Sequence, residues 1–293
     1  MKKNLDYLIK LLRVKQWIKN AFIFFPLIFS GYLLNKDLFI ATILAFSGFC
    51  FISSGLYILN DFLDHKRDRL HPKKANRPLT QGTINKPQII FVIISLEFLG
   101  LWICQNINNS VFTVALFYIG FNLVYNFLTK KIVILDVIFI ALGFYLRIWA
   151  GAVAINVIPS IWIQMCAFLL ALFLGFTKRR YEIATLKDNA AEHRSVLAHY
   201  SSYLLDQIII ICSTLAIVFY SLYTISPEVI SRVGTTHMVY SIGFVIYGIF
   251  RYLYLIHVKK LGDDPSEILL KDMPLMICVF SWVAYVGFII YAN

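Results

Sequence analysis

Tyr57-Ile58-Leu59-Asn60-Asp61-Phe62-Leu63-Asp64-His65-Lys66-Arg67-Asp68 closes an apolar run that occupies residues 38 to 59. A run of about 20 apolar residues is what an α-helix needs to cross the hydrocarbon core of a bilayer. If the helix continues past the run, Asp61, Asp64 and Asp68 stand at i, i+3 and i+7 and share one face. Asn60 then lies one turn before Asp64. Like charges at that spacing repel one another, so the arrangement makes sense when cations join it. Ligands that are all oxygen, at a membrane edge, suit Mg²⁺ shared with substrate phosphates. The plainer alternative is a solvated helix end neutralised by Lys66, Arg67 and Arg69.

Further apolar runs of similar length lie at 16 to 34, 88 to 105, 110 to 128, 132 to 155, 159 to 177, 203 to 225, 237 to 256 and 274 to 291. Together with the first they predict nine spans. Pro159 and Pro274 stand at two of the starts, where proline fits the first turn of a helix. Composition agrees, with 59% of the 293 residues apolar and 15% charged, against roughly 45–50% and a quarter in soluble domains. A soluble fold is excluded. The expectation is an all-α integral membrane protein, one transmembrane domain over 1–293, without short repeats or a long linker. The basic, amphipathic stretch from Met1 to Asn20 lacks a small-residue cleavage site, so a removable signal peptide is not expected. Cys50, Cys104, Cys166, Cys212 and Cys278 are widely spaced inside apolar runs and read as packing residues.

The net charge of +11 is explained mainly by topology. With the N-terminus in the cytosol, all but four of the 27 Lys and Arg residues fall on the inner side. Only Lys36 and Arg232 are outside, and Arg147 and Arg251 lie within spans, which is the positive-inside pattern. Nucleic acid is therefore not an expected partner. The inner segments near 60 to 87, 178 to 202 and 257 to 273 are long and polar, which places the chemistry on the cytosolic face.

Asn60 to Asp68 reads N-D-x-x-D-x-x-x-D, and Arg77-Pro78-Leu79 and Gly82 follow it. This pattern resembles the first signature of the UbiA-type intramembrane prenyltransferase superfamily, and the resemblance covers essentially the whole chain. It implies about nine transmembrane helices around a central cavity. It also implies that Asp61, Asp64 and Asp68 hold Mg²⁺ on a diphosphate as the catalytic centre, with Asn60 orienting. The second inner segment departs from the aspartate-rich pattern of aromatic-acceptor members. It has Lys178-Arg179-Arg180-Tyr181-Glu182, then Asp188, Glu192, Arg194 and Tyr200. A phosphoribosyl-transferring branch of the superfamily is similar in Lys178-Arg179-x-x-Glu182 and in Arg13-x-Lys15-Gln16-Trp17-x-Lys19-Asn20. It is similar too in Gly143-Phe144-x-x-Arg147-x-x-Ala150-Gly151 and in Arg251-Tyr252 before Gly262-x-x-Pro265. That resemblance implies transfer of 5-phosphoribosyl from phosphoribosyl pyrophosphate to a polyprenyl phosphate, with release of diphosphate. It also implies a bacterial cytoplasmic membrane, a cytosolic active site and a role in cell-envelope synthesis.

Such a reaction brings three phosphate-bearing groups to one centre, so more cations are expected than an aromatic prenyltransferase needs. Lys74, Arg77, Lys178 and Arg179 are the candidate grips, arginine as a fork and lysine as a point charge. Lys19 and Asn20 are further candidates. Asp136 and Arg147 are 11 residues apart in one span, on one face but too distant to pair, and Arg147 is expected either in the cavity wall, near the lipid phosphate or shaping the wall, or in a purely structural role. Tyr57, Tyr125, Tyr181 and Glu182, near inner span ends, are candidate substrate contacts. Membrane lipid surrounds the chain, and oligomers through lipid-facing surfaces are compatible with the sequence. Two rivals stand. One is a prenyltransferase acting from an isoprenyl diphosphate on an aromatic or other small acceptor, with Asp188-x-x-x-Glu192 as its second motif. The other is a transporter using Asp136, Arg147 and Glu97 as a path.

Overall fold

Apolar segments in a bilayer must satisfy their backbone N–H and C=O groups internally, which leaves helices as their form here. A computed structural model describes residues 2–69, 77–80, 85–186, 195–261, 268–269 and 271–292. Its α-helices are α1 (Lys2–Leu11), α2 (Phe25–Phe29), α3 (Lys36–Asp68), α4 (Lys86–Gln105), α5 (Asn109–Phe127) and α6 (Leu135–Ala154), followed by α7 (Ile161–Leu186), α8 (Ser202–Ile225), α9 (Pro227–Val233), α10 (Ile242–His257) and α11 (Met273–Tyr291). Among the described residues there is no strand, and eight helices are long and apolar enough to cross a membrane.

The expected ninth span, 16 to 34, takes another form. Val14–Phe24 is a 3₁₀ helix that passes into the short α2. Its side chains explain the choice. A 3₁₀ helix repeats every three residues, so Trp17, Asn20 and Ile23 stack in one row, whereas an α-helix would rotate each by a further ~60°. The row lies along α3. Trp17 Nε1 donates to Ser54 Oγ at 3.0 Å, Asn20 Nδ2 to Ser53 Oγ at 3.1 Å, and Ile23 is fully buried. Specific bonds to α3 outweigh the better backbone geometry of an α-helix.

The contacts divide the chain into two compact units. The first holds Met1–Leu27, Tyr32–Ile132 and Leu146–Ile158. There α3 packs against the 3₁₀ segment, α4 and α5. Phe49, Ile52 and Leu56 meet Cys104, Val111, Ala115 and Tyr118, with Ile23, Ala150 and Ala154 completing the cluster. Two approaches are backbone to backbone. A Cβ on Gly151 would stand 1.9 Å from the Ile23 carbonyl oxygen, and one on Gly100 would stand 2.7 Å from that of Gly48. Small residues at such crossings are the usual device of membrane helices.

The second unit holds Ile28–Gly31, Val133–Tyr145 and Pro159–Asn293. There α7 lies along α8, and α10 packs on α8 and α11. Its core gathers Val137, Ala141, Leu169, Phe173, Phe176, Leu205, Ile209, Ile249 and Tyr252. Arg251 forks onto Asp272 at 3.0 and 2.8 Å and so ties α10 to the start of α11, where Asp272 also caps Leu275 N–H. All five cysteines are free and buried, as packing residues would be.

Candidate active site

The helix α3 does continue past its apolar run, as far as Asp68. It therefore carries Asp61, Asp64 and Asp68 on consecutive turns, and Asp61 and Asp68 are buried at 6% and 5% exposure. Three cations of the first unit meet them. Arg77, in the segment that follows α3, places one nitrogen, Nη1, 2.8 Å from Asp61 Oδ1 and 2.6 Å from Asp68 Oδ2. Arg13 holds Asp61 with a fork, Nε at 3.0 Å from Oδ2 and Nη2 on Oδ1. Lys130, in the short turn after α5, donates to Asp64 Oδ1 at 2.8 Å. The three aspartates therefore do not gather around one point: Asp61 and Asp68 converge through Arg77, while Asp64 is drawn to Lys130. Among the described residues no three acid, His or Cys side chains cluster as a ready metal cage.

Arg13 owes its position to its backbone. It sits between α1 and the 3₁₀ helix with φ 50° and ψ 46°, a left-handed conformation that costs a non-glycine residue about 1–2 kcal/mol. Such strain is characteristic of functional positions. Its guanidinium also lies 5.4 Å from the Tyr57 ring centroid. Burial lowers the pKa of Arg13 and Asp61 opposes that change, but an arginine starts so high that it stays charged.

A second network lies deeper in the same unit. Arg147 of α6, 4% exposed, donates from Nε to Asn20 Oδ1 at 2.7 Å and from Nη2 to Tyr118 OH at 2.6 Å. Its guanidinium lies 4.8 Å from the Tyr118 ring centroid. Asn20, expected on a phosphate, instead joins Arg147 to Ser53 and Cys50. Tyr57 is within reach of Arg147, Arg13 and Lys19 and so lies between the two networks. Glu97 rests against α3, where a Cβ on Gly55 would stand 2.5 Å from its Oε1. Both Glu97 carboxylate oxygens are buried with no hydrogen-bond partner among the described residues.

In the second unit Arg179 is not an open phosphate grip. It is 2% exposed and holds two acids, Asp136 Oδ2 at 2.7 Å from Nε and Glu182 Oε2 at 2.8 Å from Nη1. Tyr200 OH donates to the other Asp136 oxygen at 2.7 Å and accepts the Ile134 N–H at 2.6 Å. Burial first, then the Asp136 carboxylate, hold the Tyr200 phenol above its ordinary pKa, so it stays a donor. Asp136 and Arg147, expected on one face, each have partners of their own. Lys178, Tyr181 and Glu182 lie near the end of α7 and Tyr125 near the end of α5, all half-buried, as is Asn60. Lys74, Gly82, Asp188, Glu192, Arg194, Gly262 and Pro265 lie outside the described residues. Arg13 and Lys130 were legible only as positive-inside charge, although Arg13 heads the quoted N-terminal pattern.

The aspartate group can be tested for a divalent cation on its own chemistry. The donors are all oxygen, and two carboxylates already converge on one cationic nitrogen. Mg²⁺ is usually held by one or two carboxylates plus substrate phosphate oxygens, so the Asp61 and Asp68 pair fits. Buried polar atoms without partners among the described residues lie nearby in sequence: Thr80 Oγ1 after Arg77, and Asn126 Oδ1 and Thr129 Oγ1 before Lys130. Buried polar groups are normally satisfied, and a ligand at this end of the unit would supply partners.

Comparison with known proteins adds the following. The model of the UbiA prenyltransferase family matches residues 23–290. A decaprenyl-phosphate phosphoribosyltransferase of Corynebacterium glutamicum is 29% identical over 295 residues, 99% of this chain and 88% of that protein. One of Mycolicibacterium smegmatis is 29% identical over 299 residues, 99% of this chain and 94% of its own. Among solved structures, a UbiA homolog from Archaeoglobus fulgidus bound to GPP and Mg²⁺ superposes with a TM-score of 0.70 at 20% identity, covering 98% of this chain and 100% of that one.

Proposed function

The chain belongs to the UbiA prenyltransferase family, and on that premise we propose that it transfers a 5-phosphoribosyl group from phosphoribosyl pyrophosphate to a polyprenyl phosphate. The observation that carries the reading is the aspartate pair of α3 buried among arginines, in a chain similar over almost all its length to decaprenyl-phosphate phosphoribosyltransferases. Asp61 and Asp68 would hold Mg²⁺, with Asp64 and Asn60 beside them on α3. Those residues would hold the ion where it would supply charge neutralisation for the leaving diphosphate.

The residues of the chain do the remaining work. Arg77 and Arg13 offer bidentate forks to phosphate oxygens, and Lys130 adds a point charge at Asp64. The C1–O bond to the diphosphate breaks with oxocarbenium character, and an oxygen of the lipid phosphate takes its place at C1. A phosphate monoester is already ionised near neutral pH, so no strong base is required of the protein. Positioning and charge stabilisation carry the acceleration. The polyprenyl tail stays among the apolar spans, because its exposure to water is unfavourable.

The test is a transfer assay with the protein in detergent or membranes, labelled phosphoribosyl pyrophosphate, a polyprenyl phosphate and Mg²⁺. Label is expected in the lipid phase with wild type. Asp61→Asn, or a chelator, should lower the rate at least about a hundredfold, the usual effect of removing one charge-stabilising group. Asp61-dependent consumption of an isoprenyl diphosphate, with no label moved, would replace this reading by ordinary prenyl transfer.

A further inference from the structure

We propose that Arg13 and Arg77 are stand-ins for the metal, holding Asp61 and Asp68 until a divalent cation arrives together with a diphosphate and then changing partners from carboxylate to phosphate. The inference rests on the reading that Asp61 and Asp68 hold Mg²⁺. Its own basis is the placement of the guanidiniums. Arg77 Nη1 lies 2.8 Å from one carboxylate and 2.6 Å from the other, which is the point a bridging cation would take. Arg13 covers both oxygens of Asp61. Two guanidinium nitrogens already use both lone pairs of Asp61 Oδ1, and Arg77 Nη1 fills the point between the two carboxylates, so a divalent ion cannot bridge them there until a guanidinium moves.

Charge decides when it moves. Asp61, Asp64 and Asp68 face Arg13, Arg77 and Lys130, three negative charges against three positive among the described contacts. A divalent cation entering alone would leave two positive charges uncompensated beside buried carboxylates, where water screens poorly. A cation carrying a diphosphate brings its own negative charge. Its phosphate oxygens also give the displaced guanidiniums the planar, bidentate partner they are shaped for. Tyr57, whose ring centroid is 5.4 Å from the Arg13 guanidinium, keeps that group at hand through the exchange. Free metal therefore binds weakly, the metal–diphosphate pair binds tightly, and the arginines set that order.

The experiment measures binding and needs no turnover. Free Mn²⁺ is titrated by electron paramagnetic resonance against the full chain in detergent, with and without inorganic diphosphate. Wild type, Arg13→Gln, Arg13→Lys and Asp61→Asn are compared. Wild type should bind Mn²⁺ alone at least about tenfold more weakly than with diphosphate. Arg13→Gln should bind Mn²⁺ alone at least about tenfold more tightly than wild type, and should gain less from diphosphate. Arg13→Lys, which keeps the charge and loses the fork, should bind Mn²⁺ alone about threefold more tightly than wild type; it decides the matter if Arg13→Gln does not fold. Unchanged or weaker binding of Mn²⁺ alone in these variants, while wild-type binding depends on Asp61, overturns the inference and leaves the metal reading standing. Binding of Mn²⁺ that ignores Asp61→Asn overturns both.

Discussion

Ile134 has a φ of 70°, a left-handed backbone that a β-branched side chain resists. One hydroxyl holds it there. The Tyr200 hydroxyl accepts the Ile134 N–H and donates a hydrogen bond to Asp136, which in turn fixes Arg179 and, through it, Glu182. Tyr200→Phe should therefore remove the hydrogen bonds that this one hydroxyl makes to the Ile134 N–H and to the buried Asp136 carboxylate and destabilise the protein by about 1–3 kcal/mol. Thermal unfolding in detergent measures this, and an unchanged midpoint would mean that Asp136 and Ile134 find other partners. At this scale the sequence shows which charged residues are present, and the partner each one takes is decided across helices. The α3 aspartates were legible because helical spacing places them on one face. Among the expected phosphate grips, Arg179 is bonded to Asp136, 43 residues away, which nothing in its neighbourhood in sequence announces. Arg13 is visible in the N-terminal pattern, but the acid it serves is 48 residues on and so is not announced by it.

Among elements, the apolar runs predicted spans well, because a bilayer admits few alternatives to a helix. The segment after α1 shows the limit of that rule. Its apolar content suggested another α-helical span, whereas its polar row, Trp17 and Asn20 at a spacing of three, pairs with Ser54, Ser53 and Cys50 and winds it as 3₁₀. That row is visible in the sequence, but its meaning depends on the serines of α3. The same segment needs Gly151. With the Ile23 carbonyl 1.9 Å from where a Cβ would stand, Gly151→Val must part α6 from the 3₁₀ helix. A loss of about 1–3 kcal/mol or more is expected. Gly120 of α5 has nothing within 4 Å of that position, so Gly120→Ala is the control and should leave the melting temperature within a degree or two. Equal behaviour of the two variants would show that the Gly151 approach is not tight.

For the whole molecule, the bias of Lys and Arg predicts the N-terminus and the α3 aspartates on the cytosolic side. All five native cysteines are buried, so single introduced cysteines report cleanly. On intact cells a membrane-impermeant maleimide should label Glu228→Cys, an exposed position at the start of α9, and should label Lys131→Cys only after permeabilisation. The opposite pattern would invert the orientation and with it the side from which a polar donor enters.

Fold class, membrane character, the approximate spans and the aspartate signature follow from the sequence alone. All of them depend on properties of one segment: its length, its hydropathy and the periodicity of a single helix. The tertiary structure alone decided which charges neutralise which. It paired Asp61 with Arg13 and Arg77, drew Asp64 to Lys130, and engaged Arg179 with two acids and Arg147 with Asn20 and Tyr118. The reason is physical. An ion pair is set by distance across helices, to within an ångström, and a chain of 293 residues with 27 basic side chains offers every acid many partners until packing selects one.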